Sequence, residues 1–203
     1  MSAATSPAPR RLRVDEYLEL LGTSDERLEF DDGEVVAMAG GSISHGRVGV
    51  NLNTILGREV KRPCEPFAAD TQVHVPSRGR FFFTDGFVVC GDVELYEDNP
   101  RRGIVLNPRV IFEVMSPSSE GRDRGDKFDC YRDLPSFEEY LLIAQDRPQV
   151  QGFLRRGGGD EVEWSVRFWE GLDAVAQIRC LGIDLPLREL YARVDFTPSP
   201  PPD

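Results

Sequence analysis

Two carboxylates stand inside strongly apolar stretches of this 203-residue chain. Glu113 lies in the run RVIFEVMS (residues 109–116), and Asp85 is the single acid in FFFTDGFVVC (residues 81–90). Both runs are rich in β-branched and aromatic residues, so each is predicted to form one continuous strand. An ionised carboxylate in a buried strand is unfavourable by several kcal/mol unless it is paired or bound to a metal. The two acids are therefore candidates for a functional site.

Side by side on neighbouring strands, Asp85 and Glu113 would repel each other unless a positive charge lay between them. Oxygen ligands without thiolates favour Mg²⁺ or Mn²⁺. In an alternative interpretation, each acid pairs with an arginine at a sheet edge.

A strongly charged segment follows Glu113, residues 116–133 with the sequence SPSSEGRDRGDKFDCYRD. If it is helical, Arg124, Lys127 and Tyr131 fall on one stripe. Lys127 would then point back over the end of the strand toward Glu113.

The elements that would position these residues alternate between strands and a few helices. Asp32-Gly33 between two short apolar stretches predicts a hairpin, and residues 157–159 predict another near the C-terminus. The pattern indicates an α/β (α+β mixed) domain with a central mixed β-sheet flanked by helices and with N-terminal and C-terminal β-hairpins. Candidate helix N-caps are Ser42 or Ser44, and Ser118 or Ser119.

The length suits one domain, predicted to span residues 11–195. The polar, Pro-containing segments 1–10 and 196–203 are predicted to be disordered. No apolar run approaches the ~18 residues of a membrane span, and the N-terminus lacks the apolar centre of a secretory signal. We therefore expect a cytoplasmic protein that does not enter a membrane.

The formal net charge of −11 argues against an indiscriminate polyanion binder, because nucleic-acid surfaces normally carry a basic excess. It does not exclude a nuclease, since a cluster of metal-binding carboxylates adds negative charge. The four cysteines are scattered without a CxxC motif, so four reduced thiols are expected rather than a zinc site or a disulfide framework.

The order of several segments resembles the Uma-two family of restriction endonucleases, which belongs to the PD-(D/E)xK nuclease superfamily. The similarity spans roughly residues 12–190, and EVMSPSS and DRGDKFDCY are its most specific parts. The resemblance implies a restriction endonuclease-like fold and a metal-dependent DNA endonuclease that hydrolyses phosphodiester bonds with Mg²⁺ or Mn²⁺. It also implies DNA as the partner and a homodimer. The matching segments are LEFDDGEVVAM, SISHGRVGVNL, TDGFVV, PRVIFEVMSPSS, RDRGDKFDCYRD and EEYLLIAQD.

The same resemblance assigns roles to residues. Met115 stands where the superfamily has a lysine two residues after the second acid. The family also lacks a lysine there and has one on the following helix, a position that Lys127 matches in this chain. Thr84 stands where the superfamily has proline. Asp70 matches a further acid that the family often has before its strand. The implied catalytic residues are Asp85, Glu113, Lys127 and Glu29; the metal ligands are Asp85, Glu113 and the Val114 carbonyl; and the substrate-binding residues are His45, Arg124 and Tyr131.

Other interpretations remain open. In one alternative, Lys127 is the partner of Asp123 in a surface i,i+4 ion pair, and His45 is a helix cap or a surface residue. The whole chain could be a catalytically silent nuclease-fold module for binding or regulation, or a hydrolase of a smaller phosphoester. A structural dimer module is a further option, based on apolar residues around Phe168 and Trp169.

Overall fold

The structure is a computed structural model that describes residues 11–38, 40–96, 103–116, 120–158 and 161–196. Within these residues the strands form a six-stranded, a five-stranded and a two-stranded sheet. The strands are β1 (Leu28–Asp31), β2 (Glu34–Ala37), β3 (Cys64–Ala68), β4 (Gln72–Val75), β5 (Arg80–Phe83), β6 (Gly86–Cys90), β7 (Ile104–Val105), β8 (Val110–Met115), β9 (Glu139–Ala144), β10 (Gln149–Arg156), β11 (Glu163–Glu170), β12 (Val175–Ile178) and β13 (Ile183–Pro186).

The helices are short apart from α2. A continuous helical segment follows β8, and its middle turn is π-helical. The helices are α1 (Val14–Thr23), α2 (Ile43–Glu59), a 3₁₀ turn (Pro76–Arg78), α3 (Glu120–Arg122), the π-helical turn (Asp123–Lys127), α4 (Phe128–Tyr131) and α5 (Leu187–Leu190).

The six-stranded sheet carries the strand of the second acid at its centre. Its order is β11-β10-β9-β8-β6-β3, with β8 parallel to β9 and the other neighbours antiparallel. Every residue of β8 and β9 is buried, as expected for strands covered on both faces. The prediction that RVIFEVMS forms a doubly covered central strand is confirmed.

Helices cover both faces of this sheet. Helix α2 packs the apolar residues Val48, Leu52 and Leu56 against one face, and Ser42 caps the helix by accepting a hydrogen bond from the His45 main-chain N–H. The segment from α3 to α4 packs Tyr131 and other apolar residues against the opposite face. The mixed, helix-flanked sheet predicted from the sequence is confirmed, and Ser42 is the cap of the two candidates. The alternative caps of the later helix, Ser118 and Ser119, lie outside the described residues.

The two predicted hairpins are present. Strands β1 and β2 pair through the two-residue turn Asp32-Gly33, in which both residues have positive φ, as a type I′ turn requires. Strands β10 and β11 form the C-terminal hairpin. The first hairpin belongs to the five-stranded sheet, whose order is β2-β1-β5-β4-β7.

The run FFFTDGFVVC is not one strand, and that prediction was wrong. The chain leaves β5 of the five-stranded sheet at Phe83 and enters β6 of the six-stranded sheet at Gly86. Between them, the Asp85 N–H donates to the Phe112 carbonyl oxygen at 3.1 Å, which anchors the corner to β8. Asp85 therefore lies at the junction between the two sheets. Its side-chain direction is not set by the up-and-down alternation of side chains along β5 or β6.

The prediction of four reduced cysteines was also wrong. Cys64 and Cys90 form a disulfide, because they lie directly opposite each other on the antiparallel strands β3 and β6. Cys130 and Cys180 are free thiols. Scattered positions in the sequence gave no indication that two of them would meet.

The predicted disordered ends fall on residues 1–10 and 197–203, which lie outside the described residues. Phe196, assigned to the tail from the sequence, packs against Tyr191 with 5.6 Å between ring centroids. In the described part of the chain, no helix has the length and apolar content needed to cross a membrane.

Candidate active site

A cavity of about 1160 Å³ opens where the first turns of α2, the Asp85 corner and the end of β8 meet. Its wall contains both acids identified in the sequence, Asp85 and Glu113, together with His45 and Lys127. Asp85 directly precedes β6, whose Gly86 pairs with Phe112 of β8, the residue before Glu113. Both acids therefore border the same cavity.

The Asp85 carboxylate is fixed by two contacts. Its Oδ2 accepts a 2.6 Å hydrogen bond from the Val114 N–H, and its Oδ1 lies 2.9 Å from His45 Nε2. The hydrogen bond that His45 makes to the Asp85 carboxylate is the main reason why the pKa of His45 lies above its usual value.

The Glu113 carboxylate is 4% exposed and is held by the helical segment after β8. Its Oε1 accepts hydrogen bonds from Lys127 Nζ at 3.0 Å and from the Tyr131 hydroxyl at 3.1 Å. Burial raises the pKa of Glu113 well above its usual range, and the adjacent Lys127 opposes that rise. The placement of Lys127 on the following helix, pointing at Glu113, agrees with the predicted geometry.

Lys127 is enclosed by carboxylates. Besides Glu113, Asp123 Oδ1 and Glu29 Oε1 each lie 3.6 Å from its Nζ. Burial alone lowers the pKa of Lys127, but the three negative charges outweigh it and the pKa lies above the ordinary lysine value. Lys127 is therefore held as an ammonium ion.

Glu29 contributes from behind this cluster. Its side chain is completely buried; Oε1 accepts a 3.0 Å hydrogen bond from the Phe83 N–H, and Oε2 lies 2.9 Å from Arg122 Nη1. Glu29 is not part of the cavity wall. The structure therefore places it against Lys127 and Arg122 rather than in the cavity.

Two of the three predicted substrate-binding residues do not reach the cavity. Tyr131 is fully buried beneath Glu113, which leaves no surface for a substrate, and Arg124 binds the Gln151 side chain. The shared stripe of Arg124, Lys127 and Tyr131 assumed α-helical spacing, which the π-helical turn changes. His45 does line the cavity, and so does Asp70.

Sequence reasoning missed Asp123 as a site residue. It was interpreted as the partner of Lys127 in a surface ion pair, but both residues are buried in the π-helical turn and both line the cavity. A π-helical turn often marks a functional site, because it redirects side chains inward. The alternation of charged and glycine residues in this segment did not predict such a turn. Thr84, Ser116 and Gln145 are further wall residues that the sequence did not indicate.

The donor set suits a hard divalent cation only in part. Among the described residues, no three His, Cys, Asp or Glu side chains converge as a metal-binding group. Mg²⁺, however, is commonly bound by one or two carboxylates together with waters and substrate phosphates. The Asp85 and Glu113 carboxylates and the Val114 carbonyl are oxygen donors of that kind.

Comparison with known proteins agrees with this fold. The chain matches Uma2, a family described as "Putative restriction endonuclease", over residues 14–187. It is 34% identical over 147 residues to an uncharacterized protein of Synechocystis sp. (strain ATCC 27184 / PCC 6803 / Kazusa), covering 72% of this chain and 82% of that protein. A second uncharacterized protein of the same strain is 26% identical over 193 residues, covering 95% and 97%.

A solved structure shares the fold. The crystal structure of "a putative nuclease belonging to DUF820" from Anabaena variabilis ATCC 29413 matches with a TM-score of 0.69 at 15% identity, covering 89% of this chain and 98% of that chain. The predicted restriction endonuclease-like fold is confirmed.

Proposed function

This chain belongs to the Uma2 family, described as "Putative restriction endonuclease", and from that premise we propose that it is a metal-dependent endonuclease that hydrolyses phosphodiester bonds in DNA. Family membership supports a nuclease function in general. The observation that carries the specific proposal is the pair of acids, Asp85 at the corner between β5 and β6 and Glu113 on β8, that line one cavity beside a buried ammonium group. A nuclease of cellular DNA would act in the cytoplasm, the compartment expected from the sequence.

Asp85, Glu113 and the Val114 carbonyl are the groups that would hold Mg²⁺ or Mn²⁺. When bound, such an ion supplies a Lewis acid that polarises a phosphate oxygen and lowers the pKa of a coordinated water. The acids are preorganised for this task by hydrogen bonds that their neighbours donate, which is the arrangement that usually fixes ligating carboxylates.

Lys127 has a role that follows from its contacts. Its ammonium group orients Glu113 and places a fixed positive charge at the cavity wall, where it would stabilise negative charge developing on a phosphate. Glu29 and Asp123 hold Lys127 in that position. His45 orients Asp85 from the other side and is close enough to the same wall to contact a phosphate oxygen.

The distribution of charge favours a second candidate, hydrolysis of a smaller phosphoester. The basic residues of the cavity wall are Arg27, His45 and Lys127. Other arginines are engaged away from the cavity wall: Arg78 binds Asp133, Arg80 binds Asp31, Arg122 binds Glu29 and Arg124 binds Gln151. A small substrate needs fewer phosphate contacts than a duplex does.

The experiment is nicking of supercoiled plasmid with Mg²⁺ or Mn²⁺ by the parent chain, Asp85→Asn and Glu113→Gln. Activity is expected in the parent and is expected to be lost in both variants and in the presence of a chelator. Asp129→Asn and Glu189→Gln make the same chemical changes at exposed positions and are expected to remain active. Nicking that persists in both site variants contradicts the mechanism. Cleavage of bis(p-nitrophenyl) phosphate without nicking would instead support the smaller substrate.

A further inference from the structure

Within the described residues, β11 is one edge strand of the six-stranded sheet. Edge strands of soluble proteins are commonly protected by proline, charged side chains or a bulge, because open main-chain groups recruit other strands. The opposite edge, β3, contains Pro66. Strand β11, with the sequence EWSVRFWE, contains no proline; it has charged residues of both signs, and its Val166 and Phe168 side chains are 46% and 56% exposed.

The hydrogen-bonding pattern between β10 and β11 shows which main-chain groups of β11 point away from β10, toward the open edge. Gly171 N–H donates to the Pro148 carbonyl oxygen at 2.9 Å, directly across the hairpin in the register that pairs Gln149 with Glu170. Because hydrogen-bonded and non-hydrogen-bonded pairs alternate, the odd-numbered residues of β11 bond to β10. The main-chain groups of the even-numbered residues, including Trp164 and Val166, point to the open edge.

This hydrogen-bonding pattern restricts the registers in which a second copy of β11 can pair with the edge in antiparallel orientation. Hydrogen bonds across the new contact can form only between even-numbered residues of the two copies, because only their main-chain groups point to the open edge. Even-numbered residues then pair with even-numbered ones, so one residue on the two-fold axis must lie opposite its own copy. An axis at Arg167 would place that arginine opposite itself, which is unfavourable. An axis at Val166 would set Glu163 against Trp169 and Ser165 against Arg167.

An axis at Ser165 gives complementary pairs over residues 162–168, and beyond them it places Glu161 opposite Trp169. It places Glu163 opposite the partner's Arg167 twice, on one face of the sheet. On the other face it places Trp164 opposite Val166 and Val162 opposite Phe168, also twice. Opposite charges and apolar pairs are the combinations that stabilise neighbouring strands.

We infer that β11 is the contact between two copies of this chain, joined antiparallel with Ser165 on the two-fold axis. The contact extends the six-stranded sheet across both copies and covers Val166 and Phe168. The cavity-lining residues belong to other elements, so both candidate active sites stay open in the dimer. The inference does not depend on the proposed nuclease chemistry.

Charge reversal tests the register. Sedimentation of the full chain across micromolar concentrations is expected to show a dimer. Arg167→Glu and Glu163→Arg are each expected to raise the dissociation constant about tenfold or more, because like charges then oppose each other twice. The double swap, Glu163→Arg with Arg167→Glu, is expected to restore the dimer. A monomeric parent chain, or a dimer that neither single variant weakens, overturns the inference.

Cross-linking provides a test that does not rely on the stability of the charge variants. Residues at the axis form a non-hydrogen-bonded pair with Cα atoms about 4.5 Å apart, close enough for a disulfide. Ser165→Cys is expected to give a covalent dimer under mild oxidation, and Arg167→Cys, displaced along the strand, is not. The parent chain controls for its own free thiols, Cys130 and Cys180. Equal cross-linking of both variants, or of neither, overturns the proposed register.

Discussion

Lys127 Nζ lies 3.0 Å from Glu113 Oε1, and both side chains are withdrawn from solvent. Neither group would be stable alone in this position, because an unpaired buried charge is strongly unfavourable. Asp123 and Glu29 add two further carboxylates around the same ammonium group. Lys127 thus links the stability of the fold to the geometry of the candidate active site.

Replacing this lysine by an uncharged residue of similar length should destabilise the protein. Lys127→Met leaves the surrounding carboxylates without their shared cation, and a loss of about 3–5 kcal/mol in the free energy of unfolding is expected. Urea denaturation measures it. The matched control is Arg58→Met, which removes an exposed arginine that pairs with Glu189 on the surface and should change stability little. Equal effects of the two substitutions would mean that the buried charges are not coupled.

Asp123 is expected to act on the reaction through Lys127. Asp123→Asn keeps the shape of the side chain but removes one of the charges that position the ammonium group, and nicking should fall about 10–100-fold, as for other supporting residues of such sites. Asp126→Asn makes the same change at an exposed position of the same π-helical turn and should retain activity. If both variants nick plasmid at the parent rate, Asp123 does not position Lys127 for catalysis.

Tyr131 should support Glu113 without contacting substrate. Tyr131→Phe removes a buried hydrogen bond to a carboxylate, so the free energy of unfolding is expected to fall by about 1.5–3 kcal/mol. Tyr140→Phe, whose hydroxyl donates to a neutral main-chain oxygen at Asp123, should have the smaller effect. The KM for DNA is expected to stay unchanged in Tyr131→Phe. A raised KM for DNA with an unchanged free energy of unfolding would instead support the substrate-binding role that the sequence predicted for Tyr131.

Two glycines of α2 allow the effect of a substitution on substrate access to the cavity to be separated from its effect on the stability of the protein. Gly49 lines the cavity and Gly57 of the same helix does not, and an added Cβ would meet no atom within 4 Å at either position. Replacing glycine inside a helix stabilises it by about 0.5–1 kcal/mol. Gly49→Leu and Gly57→Leu should therefore both raise the melting temperature, and only Gly49→Leu should slow nicking. Unchanged nicking in Gly49→Leu would show that substrate does not enter along this face of α2.

The features that the sequence predicted correctly depend on local patterns. The apolar run around Glu113 predicted a doubly covered strand, Asp32-Gly33 predicted a two-residue turn, and Ser42 was one of two proposed caps. In each of these cases a few consecutive residues determine the outcome, through side-chain alternation, turn geometry or a single hydrogen bond.

The features that the sequence did not predict depend on contacts between distant segments. The corner at Asp85 exists because two sheets meet there, and Cys64 meets Cys90 because β3 pairs with β6 in one register. Asp123 turns inward because the helix after β8 contains a π-helical turn. These are consequences of tertiary packing, which local propensity does not encode.

The chain has two histidines, and their pKa values should be shifted in opposite directions from the ordinary histidine value. Burial lowers the pKa of His74, which stacks on Phe81 at 3.9 Å between ring centroids, whereas Asp85 raises the pKa of His45. NMR titration of the imidazole resonances, assigned with His74→Phe, measures both values. A pKa of His74 at or above about 6.5, the ordinary histidine value, would contradict its burial.

The lowered pKa of His74 also makes stability depend on pH, with a definite sign. Below about pH 6.5 the unfolded chain takes up a proton at this histidine while the folded chain does not, so the free energy of unfolding falls as pH falls toward the folded-state pKa. Above that range both states are neutral and His74 contributes no pH dependence. Urea denaturation between about pH 8 and about pH 5 should therefore show a shallower acid-side loss in His74→Phe than in the parent chain, because phenylalanine cannot take up the proton. His45 remains in both proteins and cancels in the difference. An identical pH dependence would mean that His74 is protonated as readily in the fold as in the unfolded chain.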